Sequence, residues 1–170
     1  MEKDESCMAD ILLQSDGDEA RIEELMREAF GDRRFERSVW MLRPGEPVAD
    51  LCLVIRDGGQ IVGSLRFWEV RLGTETILLL GPLAVQPNLR GKGFGRLLVD
   101  AALERAKAGP WRLVLVSGEP EYYPKFGFVS AQPYSIEWPG FIEMDRLQFY
   151  ELVPGSLASL PAGPLVVQAK

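Results

Sequence analysis

The sequence predicts a single α/β domain whose sheet is mixed but mostly antiparallel, and three stretches carry that expectation. Apolar runs at 51–55 and 60–72 flank Asp57-Gly58-Gly59, which reads as a hairpin. Residues 77–85 are almost wholly apolar, as in a central strand covered on both faces. From residue 94, Phe94, Leu97, Leu98, Ala101, Ala102 and Ala106 form an apolar helical face, with Arg96, Asp100, Glu104 and Lys107 opposite.

The remaining elements follow from local signals. Asp16 and Glu19 resemble a capping box, so a helix is expected from there through Ile22, Leu25, Met26, Ala29 and Phe30 until Gly31 ends it. Residues 32–50 are mixed and carry Pro44-Gly45 and Pro47, which suggests a short second helix and then a loop. Gly81-Pro82 interrupts the central strand: proline cannot donate to a ladder, so a bulge or a loss of pairing on one side is expected there. Gly109-Pro110 stops the helix that begins at Phe94. Residues 112–116 form a short buried strand, 119–126 are compact and aromatic, and 147–153 read as a last strand.

A chain of 170 residues suits one domain, able to bury about 70% of its unfolded surface. The domain is expected over 1–170, with a mobile start at 1–9 and a C-terminal extension at 154–170. A hydrophobic content of 46% and a charged content of 26% fit a packed globular protein and argue against disorder or a coiled coil.

What is missing narrows the chemistry. The chain contains no histidine, which removes Ser-His and Cys-His nucleophilic pairs and histidine-containing zinc sites, and no metal is expected. Cys7 and Cys52 are too few for a disulfide scaffold and too distant for a CxxC motif, so a reduced, cytoplasmic setting is the default. Cys52 reads as a small buried hydrophobe. A formal charge of −6 argues against duplex nucleic acid and suits a cationic substrate. The acidic start lacks the pattern of a signal peptide, and no run approaches eighteen apolar residues, so neither export nor membrane insertion is expected.

The informative junction is LLLGPLAVQPNLRGKGFGRLLVDAAL, where a buried strand passes through a short loop into a helix that starts on glycines. The first turn of such a helix leaves backbone N–H groups unpaired, and glycines let a phosphate approach them closely. Arg90, Lys92 and Arg96 lie beside it in an otherwise acidic chain, which points to a di- or polyphosphate ligand. Gly91-Lys92-Gly93 lacks the spacing and hydroxyl of a P-loop, and Gly91, Gly93 and Gly95 miss the third glycine of a dinucleotide fingerprint, so neither ATP hydrolysis nor NAD is supported.

These residues resemble the GCN5-related N-acetyltransferases (GNAT), whose Arg/Gln-x-x-Gly-x-Gly/Ala signature is matched by Arg90-Gly91-Lys92-Gly93-Phe94-Gly95. Leu83-Ala84-Val85-Gln86-Pro87 is similar to that family's splayed fourth strand, and Tyr123-Pro124-Lys125-Phe126-Gly127-Phe128 to its Tyr-x-x-Phe-Gly-Phe signature. Glu119-Pro120-Glu121-Tyr122-Tyr123 and Trp138-Pro139-Gly140 resemble the bacterial YhbS-like branch. The resemblance spans about residues 10 to 155 and implies a GNAT-like sheet with flanking helices and a splayed pair of central strands.

It also implies acetyl-CoA as co-substrate, with the pyrophosphate on the amides of Arg90, Gly91, Lys92, Gly93, Phe94, Gly95 and Arg96. The pantetheine arm would pair with Leu83, Ala84 and Val85, and Tyr123 would act as general acid, with Tyr122 as the adjacent alternative. A backbone N–H near Leu83 would stabilise the oxyanion. Relatives often carry a strand glutamate where this chain has Leu79 and Leu80, which makes Glu119 the substitute base, ahead of Glu69 and Glu75.

The four tryptophans read as core, and Glu46, Asp50, Glu143 and Asp145 as surface acids or as the rim of an acceptor cleft formed by 31–50 and 130–146. The expected activity is transfer of acetyl from acetyl-CoA to a primary amine, on a small molecule or on a protein or peptide, with a homodimer compatible with the reading. The alternative is a non-catalytic acyl-CoA-binding or regulatory interaction domain. A third class, an interaction module without nucleotide, would bind no CoA.

Overall fold

The computed structural model describes residues 9–170. The mobile start expected at 1–9 and the environment of Cys7 lie outside these residues, except that Ala9 opens a strand, β1 (Ala9–Leu13). The first helix, α1, is Glu19–Phe30 rather than a helix from Asp16. Ser15 and Asp18 form the capping box instead, with the Ser15 amide donating to Asp18 Oδ2 at 2.9 Å, and residues Asp16–Asp18 wind as a 3-10 turn. α1 buries Ile22, Leu25 and Met26.

The short α-helix expected within 32–50 is absent. Three 3-10 turns, Arg34–Glu36, Ser38–Leu42 and Ala49–Leu51, take its place. Side chains pin this stretch where a helical ladder cannot run through its prolines. Buried Arg34 donates to the Gly31 carbonyl at 2.9 Å and pairs with Glu23 of α1.

β2 (Leu53–Asp57) and β3 (Gln60–Leu72) form the predicted hairpin, followed by β4 (Glu75–Val85). β4 alternates as a doubly covered strand should. Leu78 and Leu80 enter one core with Phe67 and Leu98, whereas Ile77 and Leu79 enter another with Phe149 and Leu113. A third cluster joins α1 to Val54, Ile61 and Ala84.

α2 (Phe94–Lys107) is the helix expected after the glycines, but its buried face is rotated from the one predicted. Leu98, Val99, Ala102, Leu103 and Ala106 are buried, while Leu97 is 44% exposed. Spacings of three and four make both stripes plausible in sequence. Contact with β2 and β3 selects the one that includes Val99 and Leu103.

β5 (Leu113–Ser117), β6 (Val129–Ser130), β7 (Ile136–Glu137), β8 (Leu147–Glu151) and β9 (Leu165–Ala169) complete the strands. The sheet order is β1-β2-β3-β4-β5-β8-β6, antiparallel except where β4 meets β5. β9 corrects the expectation that 147–153 is the last strand, because it pairs antiparallel with Val70–Leu72 of β3 and parallel with β7. One edge of β3 is thereby covered along most of its length. β2 covers it up to Leu65, the Val48 amide donates to the Phe67 carbonyl at 2.8 Å, and β9 takes over at Val70. No helix among the described residues is long and apolar enough to cross a membrane.

Candidate active site

The site begins where β4 leaves β5. The two strands pair at Leu78–Val114 and Leu79–Leu115 and no further, although both continue. On its other side β4 stays paired with β3 through Val85, with a bulge opposite Gly81-Pro82. This is the one-sided loss of pairing expected from the proline.

Register shows which backbone groups face the gap. The Gln86 amide donates to the Val62 carbonyl at 2.8 Å. That makes 86/62 and 84/64 the mutually bonded pairs of the antiparallel ladder. The N–H and C=O of Leu83 and Val85 therefore point into the gap. Ala84 lines the same groove, but its backbone groups face β3 and its side chain packs in the α1 core. Of the three strand residues expected to meet a pantetheine arm, Leu83 and Val85 present free main chain and Ala84 does not.

The groove, ≈ 530 Å³ in volume, runs from these residues to the glycine loop. The Arg90 amide is already bonded to the Pro87 carbonyl at 3.3 Å, whereas among the described residues the amides of 91 through 96 have no protein acceptor. Gly91 and Gly93 sit at φ 84° and 90°, the left-handed region that glycine enters without penalty. Gly95 serves differently. A Cβ there would lie 3.1 Å from the Tyr122 hydroxyl and 3.7 Å from Val85, so its absence lets the helix start close against β4. Phe94, Arg90 and Arg96 line the groove together with Lys125, which sequence reasoning did not single out, whereas Lys92 stands off the lining.

A second cavity, ≈ 800 Å³, meets the groove at Phe30, Leu83 and Tyr122. Its walls come from 36–43 and 141–146, within the segments expected to face an acceptor, and from Gly81-Pro82 and 117–119. Ser38 ties the two walls together: its hydroxyl accepts from Trp138 Nε1 at 2.7 Å and donates to the Phe141 carbonyl at 2.6 Å.

Tyr123 lies at the base of this cavity in the Tyr123–Phe126 turn, packed edge-on against Tyr122 and Phe128. Burial pushes its phenol well above the ordinary tyrosine range, and Tyr122 adds to that, while Arg146 and Arg43 oppose it. Tyr122, whose hydroxyl reaches toward Gly95, is raised less severely and also chiefly by burial. Gly118 makes room for the Tyr123 ring, since a Cβ there would fall 2.2 Å from Tyr123 Cε2. Gly118→Ala is therefore expected to cost about 1–3 kcal/mol by overpacking, read as a lowered urea midpoint.

Glu119 lines the cavity, exposed and 3.6 Å from Arg146. Glu36 and Glu143 line it as well, and Glu36 is hydrogen-bonded to Arg33. Glu69 and Glu75 are elsewhere, bonded to Trp111 and Lys170 and to Arg112 respectively. Leu79 and Leu80 fill opposite cores, leaving no space for a strand carboxylate. All four tryptophans are only partly buried, which corrects the reading of them as core, and Trp40 lines the cavity. Cys52 is buried as expected, its thiol pushed up to about 11 chiefly by burial. Among the described residues no cluster of three or more acids or cysteines is placed to hold a metal.

A family model described as "Acetyltransferase (GNAT) domain" matches residues 49–130. The "Uncharacterized N-acetyltransferase YhbS" of Escherichia coli K12 is 30% identical over 123 residues, covering 70% of this chain and 74% of that protein. The solved structure of E. coli YhbS in complex with CoA superimposes with a TM-score of 0.80 over 98% of this chain and 93% of that one, at 27% identity. A GNAT acetyltransferase from Brucella melitensis, solved with acetyl-CoA, shares the fold with a TM-score of 0.70 over 92% of this chain and 94% of that one, at 24% identity.

Proposed function

The chain belongs to the GNAT family and is an acetyl-CoA-dependent N-acetyltransferase, and from that premise we propose that it moves acetyl directly to a primary amine held in the cavity beside β4. One observation carries the reading: the free amides of 91–96 and the free main chain of Leu83 and Val85 border one groove, and that groove opens into the second cavity at Leu83 and Tyr122. Acetyl-CoA supplies an activated thioester. The loop amides, with Arg90 and Arg96, hold its diphosphate. Leu83 and Val85 pair with the amide-bearing arm as an added strand would.

The amine lone pair attacks the thioester carbonyl from the cavity side, and the Leu83 N–H donates to the oxygen on which negative charge develops. As the carbon–sulphur bond breaks, Tyr123 gives its proton to the departing thiolate. Glu119, across the same cavity, takes the proton released by the amine, directly or through water.

The competing reading is a domain that binds acyl-CoA without turnover, favoured by the leucines at 79 and 80. Thiol release from acetyl-CoA across a panel of amines and peptides separates the two. Release that depends on an added amine is the expected result. Tight CoA binding with no release on any acceptor would establish the alternative.

A further inference from the structure

Arg43 is the unexplained residue of the acceptor cavity. It lines the wall with its guanidinium 4.5 Å over the Trp40 ring, and its Nε is sealed from solvent with no hydrogen-bond partner. Among the described residues it has no ion pair either. Arg33 pairs with Glu36, Arg34 with Glu23 and Arg146 with Glu119, while Arg37, also on the cavity wall and without an ion pair among the described residues, is exposed to water and lies over the Phe30 ring. A half-buried cation with no counter-charge and a sealed, unpartnered Nε is a costly arrangement, only partly offset by the tryptophan face. Burial pushes the Arg43 guanidinium down to about 9, with Tyr123 opposing, so it stays charged at neutral pH.

We propose that Arg43 receives the carboxylate of the acceptor, so that the enzyme's substrates are primary amines that also carry a carboxylate. A single planar fork matches a singly charged carboxylate through two parallel N–H donors. Position sets the spacing. Arg43 Nη2 lies 3.0 Å from the point that a Cβ on Gly81 would occupy. The Leu83 nitrogen, whose N–H faces the reacting carbonyl in the proposed function, lies 3.8 Å from that same point, so Arg43 Nη2 and the Leu83 N–H are at most about 7 Å apart. Free amino acids and short peptides with a terminal carboxylate span such a distance. Of the carboxylates lining the cavity, Glu36 and Glu119 are tied to other arginines and none is bonded to Arg43, so a ligand anion displaces no carboxylate there.

This inference rests on the proposed function only in placing the acceptor in this cavity, and binding tests it separately from turnover. CoA-saturated protein is titrated with glycine, β-alanine, 4-aminobutyrate, phenylalanine, glutamate and glycylglycine, and with the carboxamide of each, by calorimetry and by Trp40-sensitive fluorescence. Acids are expected to bind at least about tenfold tighter than their amides for one or more of these pairs. Arg43→Gln is expected to erase that preference while leaving CoA affinity within about twofold, and Arg43→Lys to retain part of it, which guards against a misfolded Gln variant.

Equal affinity for acids and amides across the panel overturns the proposal. So does a preference that persists in Arg43→Gln, or a tenfold loss of CoA affinity in that variant with the preference intact. Acid-selective binding without thiol release would sink the transferase mechanism and leave the anchor standing. Equal turnover of acids and amides would do the reverse.

Discussion

Gly93→Glu is expected to weaken CoA binding by at least about a hundredfold, because the carboxylate would project into the groove where the loop amides await a diphosphate. Nothing lies within 4 Å of a Cβ at this position, which lines the groove, so the effect expected is the charge brought beside the loop amides and not a clash with the protein. The residue also sits at φ 90°, where an L side chain is strained by about 1–2 kcal/mol. Gly93→Ala separates the two effects: it carries the same backbone strain without charge and should lower CoA affinity less than about tenfold. The helical signal should survive in both variants, since α2 is held by Leu98, Val99, Ala102 and Leu103, beyond its first turn. Calorimetry with CoA and circular dichroism read the two outcomes. Unchanged affinity in Gly93→Glu would remove the loop from the site.

The legibility of this site in sequence divides along a physical line. Main-chain recognition was readable, because its requirements are written in residues with unusual backbones: Gly91 and Gly93 for positive φ, Gly95 for close approach, and Pro82 for a ladder that pairs on one side only. The finer distribution of free donors was not. Which of Leu83, Ala84 and Val85 turns its amide outward depends on the parity of the β3–β4 register, and that parity is fixed by pairing with β3 rather than by the sequence of β4.

The cavity proposed for the acceptor was less legible still. Trp40 lies in the Ser38–Leu42 turn and Arg43 just after it, and Ser38 ties that turn to Trp138 and Phe141 far along the chain, a kind of contact that leaves no periodic signal. β9 is a different kind of omission. Leu165 and Val167 are buried while Val166 and Gln168 are exposed, so the period-2 pattern is present in a tail otherwise marked by Pro and Gly.

Tyr123→Phe is expected to lower kcat by about a hundredfold with little change in CoA affinity, the mark of a group needed only as the carbon–sulphur bond breaks. The ring fits between Gly118, Phe126 and Phe128 without the hydroxyl, so stability should change by less than about 1.5 kcal/mol. Tyr122→Phe supplies the contrast. Its hydroxyl reaches toward Gly95 at the helix start, so its loss should weaken CoA binding and leave kcat nearly intact. The pH profile offers a second reading of the same assignment. Burial raises the Tyr123 phenol above the ordinary range, so it holds its proton further into alkali than a free tyrosine, and kcat should show no fall from its ionisation up to about pH 10. A kcat unchanged in Tyr123→Phe would mean that the thiolate leaves unprotonated or takes its proton from water, and Tyr123 would then be a packing residue at the floor of the cavity.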